Sequence, residues 1–191
     1  MEKFVDLFTV HAHLTDKEKC HHYGYLYDGW TAGMQIKSVL ELGCTGFGGG
    51  GLISFSKAYP DACVVGVDDR DNNSHNILSS CPNVHLLIGD VYAEGTALKA
   101  MADFGSFDLI VDDCVHKKQY QFDAFELWSP LLSREGLYII EDVFEHEVLD
   151  LLSRLSKYGR EWQVFFGDTR HLQRNYGMIP DIMLGLKRYK L

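Results

Sequence analysis

The sequence predicts an α/β fold: a doubly wound, mostly parallel sheet of seven strands, with helices on both faces and an N-terminal helical cap. Three observations predict it. Short apolar runs alternate with amphipathic stretches along the chain, the pattern of parallel strands joined by crossover helices. The first five runs are continuously apolar, as expected where helices cover both faces of a sheet. No repeat and no Pro/Gly/Ser-rich linker divides the 191 residues, so one domain is expected over 1–191, with a cap segment at 1–35 and a Rossmann-like core at 36–191.

In chain order, the cap comes first. It is rich in His, Tyr and charge, and is expected to pack over the carboxyl edge of the sheet. Strands follow at "SVLEL" (38–42), "CVVGV" (63–67), "VHLLI" (84–88), "FDLIV" (107–111), "GLYIIE" (136–141), "WQVFF" (162–166) and "IMLGLKR" (182–188). Helices are expected near 50–59, 73–79, 94–103, 118–132 and 145–158. The aromatic residues of 125–128 and 162–166 read as core. Ligands of doubly wound sheets sit outside the carboxyl ends of the strands, so the strand tips are where chemistry is sought.

Composition narrows the partners. A net charge of −9 with scattered basic residues argues against nucleic acid or an anionic membrane. No stretch reaches membrane-spanning length, and the first residues lack the pattern of a secretory signal. Cys20, Cys44, Cys63, Cys81 and Cys114 form no short metal or redox spacing. Reduced thiols in a cytoplasmic setting are expected. A small-molecule or glycan acceptor is the expected partner, and a homo-oligomer is left open.

The first strand runs into "ELGCTGFGGGG". Gly43, Gly46 and Gly48 let the chain turn tightly ahead of a helix whose free N–H groups favour a ligand. Two cofactor readings compete. Gly46, Gly48 and Gly51 match a dinucleotide fingerprint, with Asp68 on a ribose. Yet Glu41 ends the strand, and an acid there repels a pyrophosphate and suits the amino group and sulfonium of S-adenosyl-L-methionine. A glycine-rich turn without a ligand is the plain alternative. Asp68 is placed to accept from a ribose diol. Asp90, after strand three, reads equally as a partner of an adenine amino group or as a turn cap.

Strand four ends in "IVDDCVH" and strand five in "YIIED". Asp112 and Asp113 point to opposite sides of an extended chain. Asp112 is grouped with the cofactor side. One acid from each tip converging on a point needs a cation, and oxygen ligands select Mg2+ or Mn2+. A hydroxyl acidified by that cation, beside the His116 imidazole, gives a nucleophile near neutral pH. The plain alternative is that Asp112 or Asp113 caps the helix near 118. The remaining histidines, His21 among them, read as surface or interfacial.

Together, "TDKEKCHHYGYLYDGW", "VLELG", "VVGVD", "FDLIVDDCVH" and "YIIEDV" resemble the metal-dependent macrolide-sugar O-methyltransferases of the mycinamicin and tylosin type. The resemblance spans about 14–143 in ordered blocks. It implies the Rossmann-like methyltransferase form of the sheet, with S-adenosyl-L-methionine and Mg2+ as cofactors. It implies Asp113, Asp142 and Glu141 as metal ligands and His116 as the base. Thr15, Lys17 and Tyr23 fall in the segment that closes the cofactor pocket. Cys114 and Val115 stand where the family has Gly-Ser. The implied reaction is methylation of a sugar hydroxyl. A catechol acceptor, a nicotinamide-dependent oxidoreductase and a non-catalytic cofactor-binding module are the alternatives.

Overall fold

A computed structural model describes residues 2–72, 78–172 and 182–188. Seven strands form one sheet: β1 (Ser38–Leu42), β2 (Cys63–Asp68), β3 (Val84–Ile88), β4 (Phe107–Asp112), β5 (Leu132–Val143), β6 (Trp162–Asp168) and β7 (Ile182–Arg188). Their spatial order is β3-β2-β1-β4-β5-β7-β6. The first five are parallel, and β7 runs antiparallel between β5 and β6. The sheet is therefore mixed at its carboxyl-terminal edge. The order reverses between β1 and β4, whose tips carry Glu41 and Asp113.

Helices α1 (Phe4–Val10), α2 (Gly24–Trp30) and α3 (Gly50–Ala58) lie on one face, and α4 (Glu94–Phe104), α5 (Lys118–Trp128) and α6 (Glu145–Leu155) on the other. Alternate residues of the central strands feed the two cores. Val39, Leu109, Val111 and Ile139 pack toward α1–α3, while Leu40, Ile110, Tyr138 and Ile140 pack toward α4–α6. The expected helix at 73–79 falls mainly on 73–77, outside the described residues. The long helices near 118 and 145 end earlier than their apolar pattern suggests, in 3-10 turns at Ser129–Leu131 and Ser156–Glu161. Pro130 cannot donate the next helical hydrogen bond. Among the described residues, no helix is long and apolar enough to cross a membrane.

Two expectations about packing need correction. β3 is an edge strand, with His85 and Ile88 exposed, rather than one covered on both faces. On β6, the other edge, Val164 and Phe166 are exposed, while Phe125 and Trp128 are core as expected. The cap lies mainly against a sheet face, not over the carboxyl edge. Phe4, Phe8, Tyr27 and Phe55 pack there in tilted and edge-to-face pairs with ring centroids 5.3 to 6.3 Å apart. Only the connection between α1 and α2 crosses the strand tips. The Gly50 N–H donates to the Leu14 carbonyl at 3.0 Å, which anchors that connection at the start of α3.

Gly43 has φ +79°, and a Cβ there would lie 2.4 Å from the Asp113 carbonyl oxygen. Glycine alone allows the tips of β1 and β4 to come this close. At Gly46 an added Cβ meets nothing within 4 Å. Gly43→Ala should lower the unfolding free energy by about 2 kcal/mol or more. Gly46→Ala should change it by less than about 0.5 kcal/mol. Chemical denaturation of both variants checks the contrast.

Candidate functional site

A cavity of about 340 Å³ opens at the β1/β4 reversal, lined from the glycine loop, the strand tips and the cap connection. It is at the small end of ordinary cofactor and ligand pockets. At its base lies Lys17, which is 2% exposed. Its Nζ meets Asp113 Oδ2 at 2.7 Å, Glu41 Oε1 at 3.3 Å and Glu141 Oε2 in a short contact. Burial opposes its charge, yet Asp113, Glu141 and Glu41 together hold its pKa well above the ordinary lysine value. Burial pushes Glu41 up to about 7, with Lys17 acting against the rise. Glu141 is raised for the same first reason.

Beyond Lys17, three groups converge. Asp113, His116 and Asp142 each present one ligand atom within 4.8 Å of the others. His116 Nε2 lies 3.5 Å from Asp142 Oδ2 and 3.9 Å from Asp113 Oδ1. Two carboxylates and an imidazole form a donor set that fits a divalent cation. Asp142 has φ +54°, in the left-handed region, where the β5–β7 register slips between Ile140 and Val143. A non-glycine residue there is strained, and such strain persists only where surrounding contacts over-determine it.

Those contacts come from the cap connection. The Tyr23 hydroxyl donates to Asp142 Oδ1 at 2.5 Å, and His21 Nδ1 lies 3.3 Å from the same oxygen. The other nitrogen of His21 is 3.4 Å from Asp16 Oδ2. Burial works against a charged His21, but its hydrogen bond to Asp16 and the nearby Asp142 raise its pKa.

Of the residues expected to meet a cofactor, Thr15, Lys17, Glu41, Gly43, Gly46, Asp68 and Asp90 line the cavity. Asp68 also braces the glycine loop, accepting from the Thr45 N–H at 2.8 Å. Asp90 closes a turn by accepting from the Tyr92 N–H at 2.9 Å, and does not cap α4, which starts after Ala93. Four expectations are corrected. Gly48 is not among the lining residues. Tyr23 sits behind Asp142 and faces that carboxylate, not the cavity. Asp112 points to the buried α4–α6 side, where its Oδ2 finds no partner. Glu141 is withdrawn from the three-group cluster, because Lys17 takes Oε2 and the Tyr27 hydroxyl donates to Oε1 at 2.7 Å. Neither Asp112 nor Asp113 caps α5, which begins at Lys118 after Lys117 and has no side-chain cap.

Sequence reading missed His21 and Tyr27. A histidine with no metal spacing and a tyrosine in an apolar helix carry no distinguishing local signal. Cys114 and Val115 close their loop without glycine. No residue from 113 to 117 has positive φ. The Val115 N–H reaches the Tyr92 hydroxyl at 3.4 Å, and the Cys114 N–H reaches Asp112 Oδ1 at 3.3 Å.

No protein-family model matches the chain. It is 30% identical over 139 residues to the 8-demethyl-8-alpha-L-rhamnosyl tetracenomycin-C 2'-O-methyltransferase of Streptomyces olivaceus, covering 69% of this chain and 35% of that protein. It is 29% identical over 111 residues to the demethylmacrocin O-methyltransferase of Streptomyces fradiae, covering 56% of this chain and 27% of that protein. The matches thus span only 27 to 35% of the length of the curated relatives. Its fold superposes on MycE methyltransferase from the mycinamycin biosynthetic pathway, solved with Mg, SAH and mycinamycin VI, with TM-score 0.72 and 19% identity. That match covers 98% of this chain and 54% of that one.

Burial holds the Asp112 carboxyl up at about 7, against an ordinary value of 3.8. Its contribution to stability is therefore full below about pH 4 and lost as pH rises through about 7. Asp112→Asn removes that loss. Between pH 5.5 and 8 the melting temperature of the variant should fall less than that of the native protein. An equal fall in both would contradict the assignment. In its fold and in its motif sequence, the chain resembles the macrolide-sugar O-methyltransferases.

Proposed function

We propose that this chain is an S-adenosyl-L-methionine-dependent O-methyltransferase that acts on a sugar hydroxyl with the help of a divalent metal, Mg2+ or Mn2+. The observation that carries the reading is the convergence of Asp113, His116 and Asp142 within 4.8 Å beside the glycine-loop cavity. The sequence relatives named above are sugar O-methyltransferases, which supports the acceptor class.

The residues present fit the donor. Glu41 Oε2 is buried and lacks a partner, and Glu41 lines the cavity. It suits an incoming ammonium group better than a pyrophosphate. Gly51 lets the start of α3 pack onto this carboxylate, since a Cβ there would fall 2.1 Å from Glu41 Oε1. Asp68 and Asp90 line the same cavity, which supports them as acceptors for the ribose and the adenine amino group. When bound, the donor supplies an electrophilic methyl group on sulfur.

Asp113 and Asp142 would hold the metal, which supplies positive charge that acidifies an acceptor hydroxyl. His116, 35% exposed at its side chain, stands on the solvent side of this pair and takes the hydroxyl proton as general base. The acceptor oxygen bonds the methyl carbon as the carbon–sulfur bond breaks, leaving S-adenosylhomocysteine. Lys17 keeps the surrounding carboxylates from repelling one another apart, so the rate gain is mainly positioning and charge stabilisation.

Calorimetric titration should show S-adenosylhomocysteine binding and no NAD binding. Excess EDTA should abolish turnover of a glycoside acceptor while S-adenosylhomocysteine still binds; full turnover in EDTA excludes the metal-assisted reaction. His116→Ala should lower kcat by about 10²-fold or more. A near-normal rate would favour a catechol acceptor, whose phenol ionises more readily. Cofactor binding without methylation of any acceptor in a glycan and small-molecule panel would favour a binding module.

A further inference from the structure

We propose that Tyr92 is a positioning residue for the base: its hydroxyl holds the Cys114-Val115 turn that aims His116, and ties that turn to the segment after β3 that carries Asp90. The inference rests on the reading of His116 as the base and goes beyond it.

The turn has few outside holds. The Asp113 N–H donates to the Leu42 carbonyl at 3.0 Å, which fixes the start of the turn to β1. The Cys114 N–H then reaches Asp112 Oδ1 at 3.3 Å, and the Lys117 N–H donates to the Val115 carbonyl at 2.7 Å. Both bonds stay within the turn, so they shape it without placing it. Val115 is 40% exposed, so side-chain packing adds little. Neither Cys114 nor Val115 offers the hydroxyl or amide with which a turn residue closes its own backbone. The Val115 N–H, next to His116, instead reaches the Tyr92 hydroxyl at 3.4 Å, across 23 residues of chain.

Tyr92 is itself held from three sides. Its N–H donates to Asp90 Oδ1 at 2.9 Å. The carbonyl before it, on Val91, accepts from Nε1 of the fully buried Trp128 at 2.9 Å. Tyr120 meets its ring edge-on, with centroids 5.2 Å apart. Burial, with Cys114 and Asp112 beside it, raises the Tyr92 pKa, so the hydroxyl stays protonated at neutral pH. Asp90, Tyr92 and His116 line one cavity. One residue thus joins the end assigned to the adenine with the end assigned to the base. A base must lie within hydrogen-bond reach of its proton. A small misplacement of it lowers kcat without weakening ground-state binding.

Tyr92→Phe tests this, because it keeps the ring, the Tyr120 contact and the cavity wall and removes only the hydroxyl. The acceptor is whichever glycoside of the panel above the native protein methylates fastest. kcat should fall by about fivefold or more, with KM for donor and acceptor each within about twofold of native. S-adenosylhomocysteine affinity, read by calorimetry, should stay within about twofold, which reports an intact fold and cavity. Amide hydrogen exchange, followed by NMR with S-adenosylhomocysteine bound, should be at least about fivefold faster at Val115 and unchanged at Asp113. A native kcat, or native exchange at Val115, overturns the proposal. So does equal acceleration at Asp113 and Val115, which marks general loosening, or a raised KM at unchanged kcat, which marks a substrate contact. Native protein that binds S-adenosylhomocysteine but methylates no glycoside overturns the reading of the reaction itself, and the exchange measurement then still decides whether Tyr92 holds the turn.

Discussion

The rest of the site depends on one buried ammonium. Lys17 sits between carboxylates from three neighbouring strand tips, Glu41 of β1, Asp113 after β4 and Glu141 of β5. Without a cation, burying these acids together would cost several kcal/mol for each charge. With it, the ammonium offsets part of that repulsion, and burial still pushes the Glu41 carboxyl up to about 7. The same contact joins the cap to the sheet. The cap connection is held over the carboxyl edge by charge, whereas α1 and α2 are held on the sheet face by tilted and edge-to-face aromatic rings. The fold and the chemistry therefore share a fastening.

Much of this was legible in the sequence. All seven strands overlap the apolar runs that predict them, and β1 to β4 match closely, but β5 begins at Leu132, four residues ahead of its run, through Ser133, Arg134 and Glu135. β3 and β6 show the limit of that signal. An edge strand keeps its apolar run while leaving Ile88, Val164 and Phe166 exposed. The reversal of β7 was not legible, since an apolar run does not encode strand direction. Helix ends were displaced where a 3-10 turn continues the apolar pattern past the α-helix.

The site was legible by strand tip and less so by individual residue. Asp113, His116 and Asp142 meet because parallel register aligns the ends of β4 and β5, and that register follows from the fold class. Glu141 was read as a metal ligand through the family resemblance, yet neighbours on a strand face opposite ways and Lys17 holds its carboxylate. Lys17 and Tyr23 were placed at the pocket through family likeness, but their partners, the carboxylates of the cluster, depend on how the cap folds back. Nothing local in "KCHHYGY" distinguishes His21, which lies against Asp142, from His22 beside it. Cys114 and Val115 stand in a turn where the family has Gly-Ser. Its backbone needs no positive φ, and the Tyr92 hydroxyl takes up the Val115 N–H.

Asp142 has the clearest functional mark, a left-handed backbone at a register slip, held by Tyr23 and His21 and facing His116. Local strain maintained by several buried contacts is characteristic of groups held for chemistry. The most direct measurement is a crystal structure grown with Mn2+ and S-adenosylhomocysteine, with the ion located by anomalous scattering. The account predicts one Mn2+ peak between Asp113 and Asp142, next to the cofactor sulfur, with Glu141 still on Lys17. A peak elsewhere, or Asp113 and Asp142 turned apart with the cofactor sulfur facing neither, would contradict it.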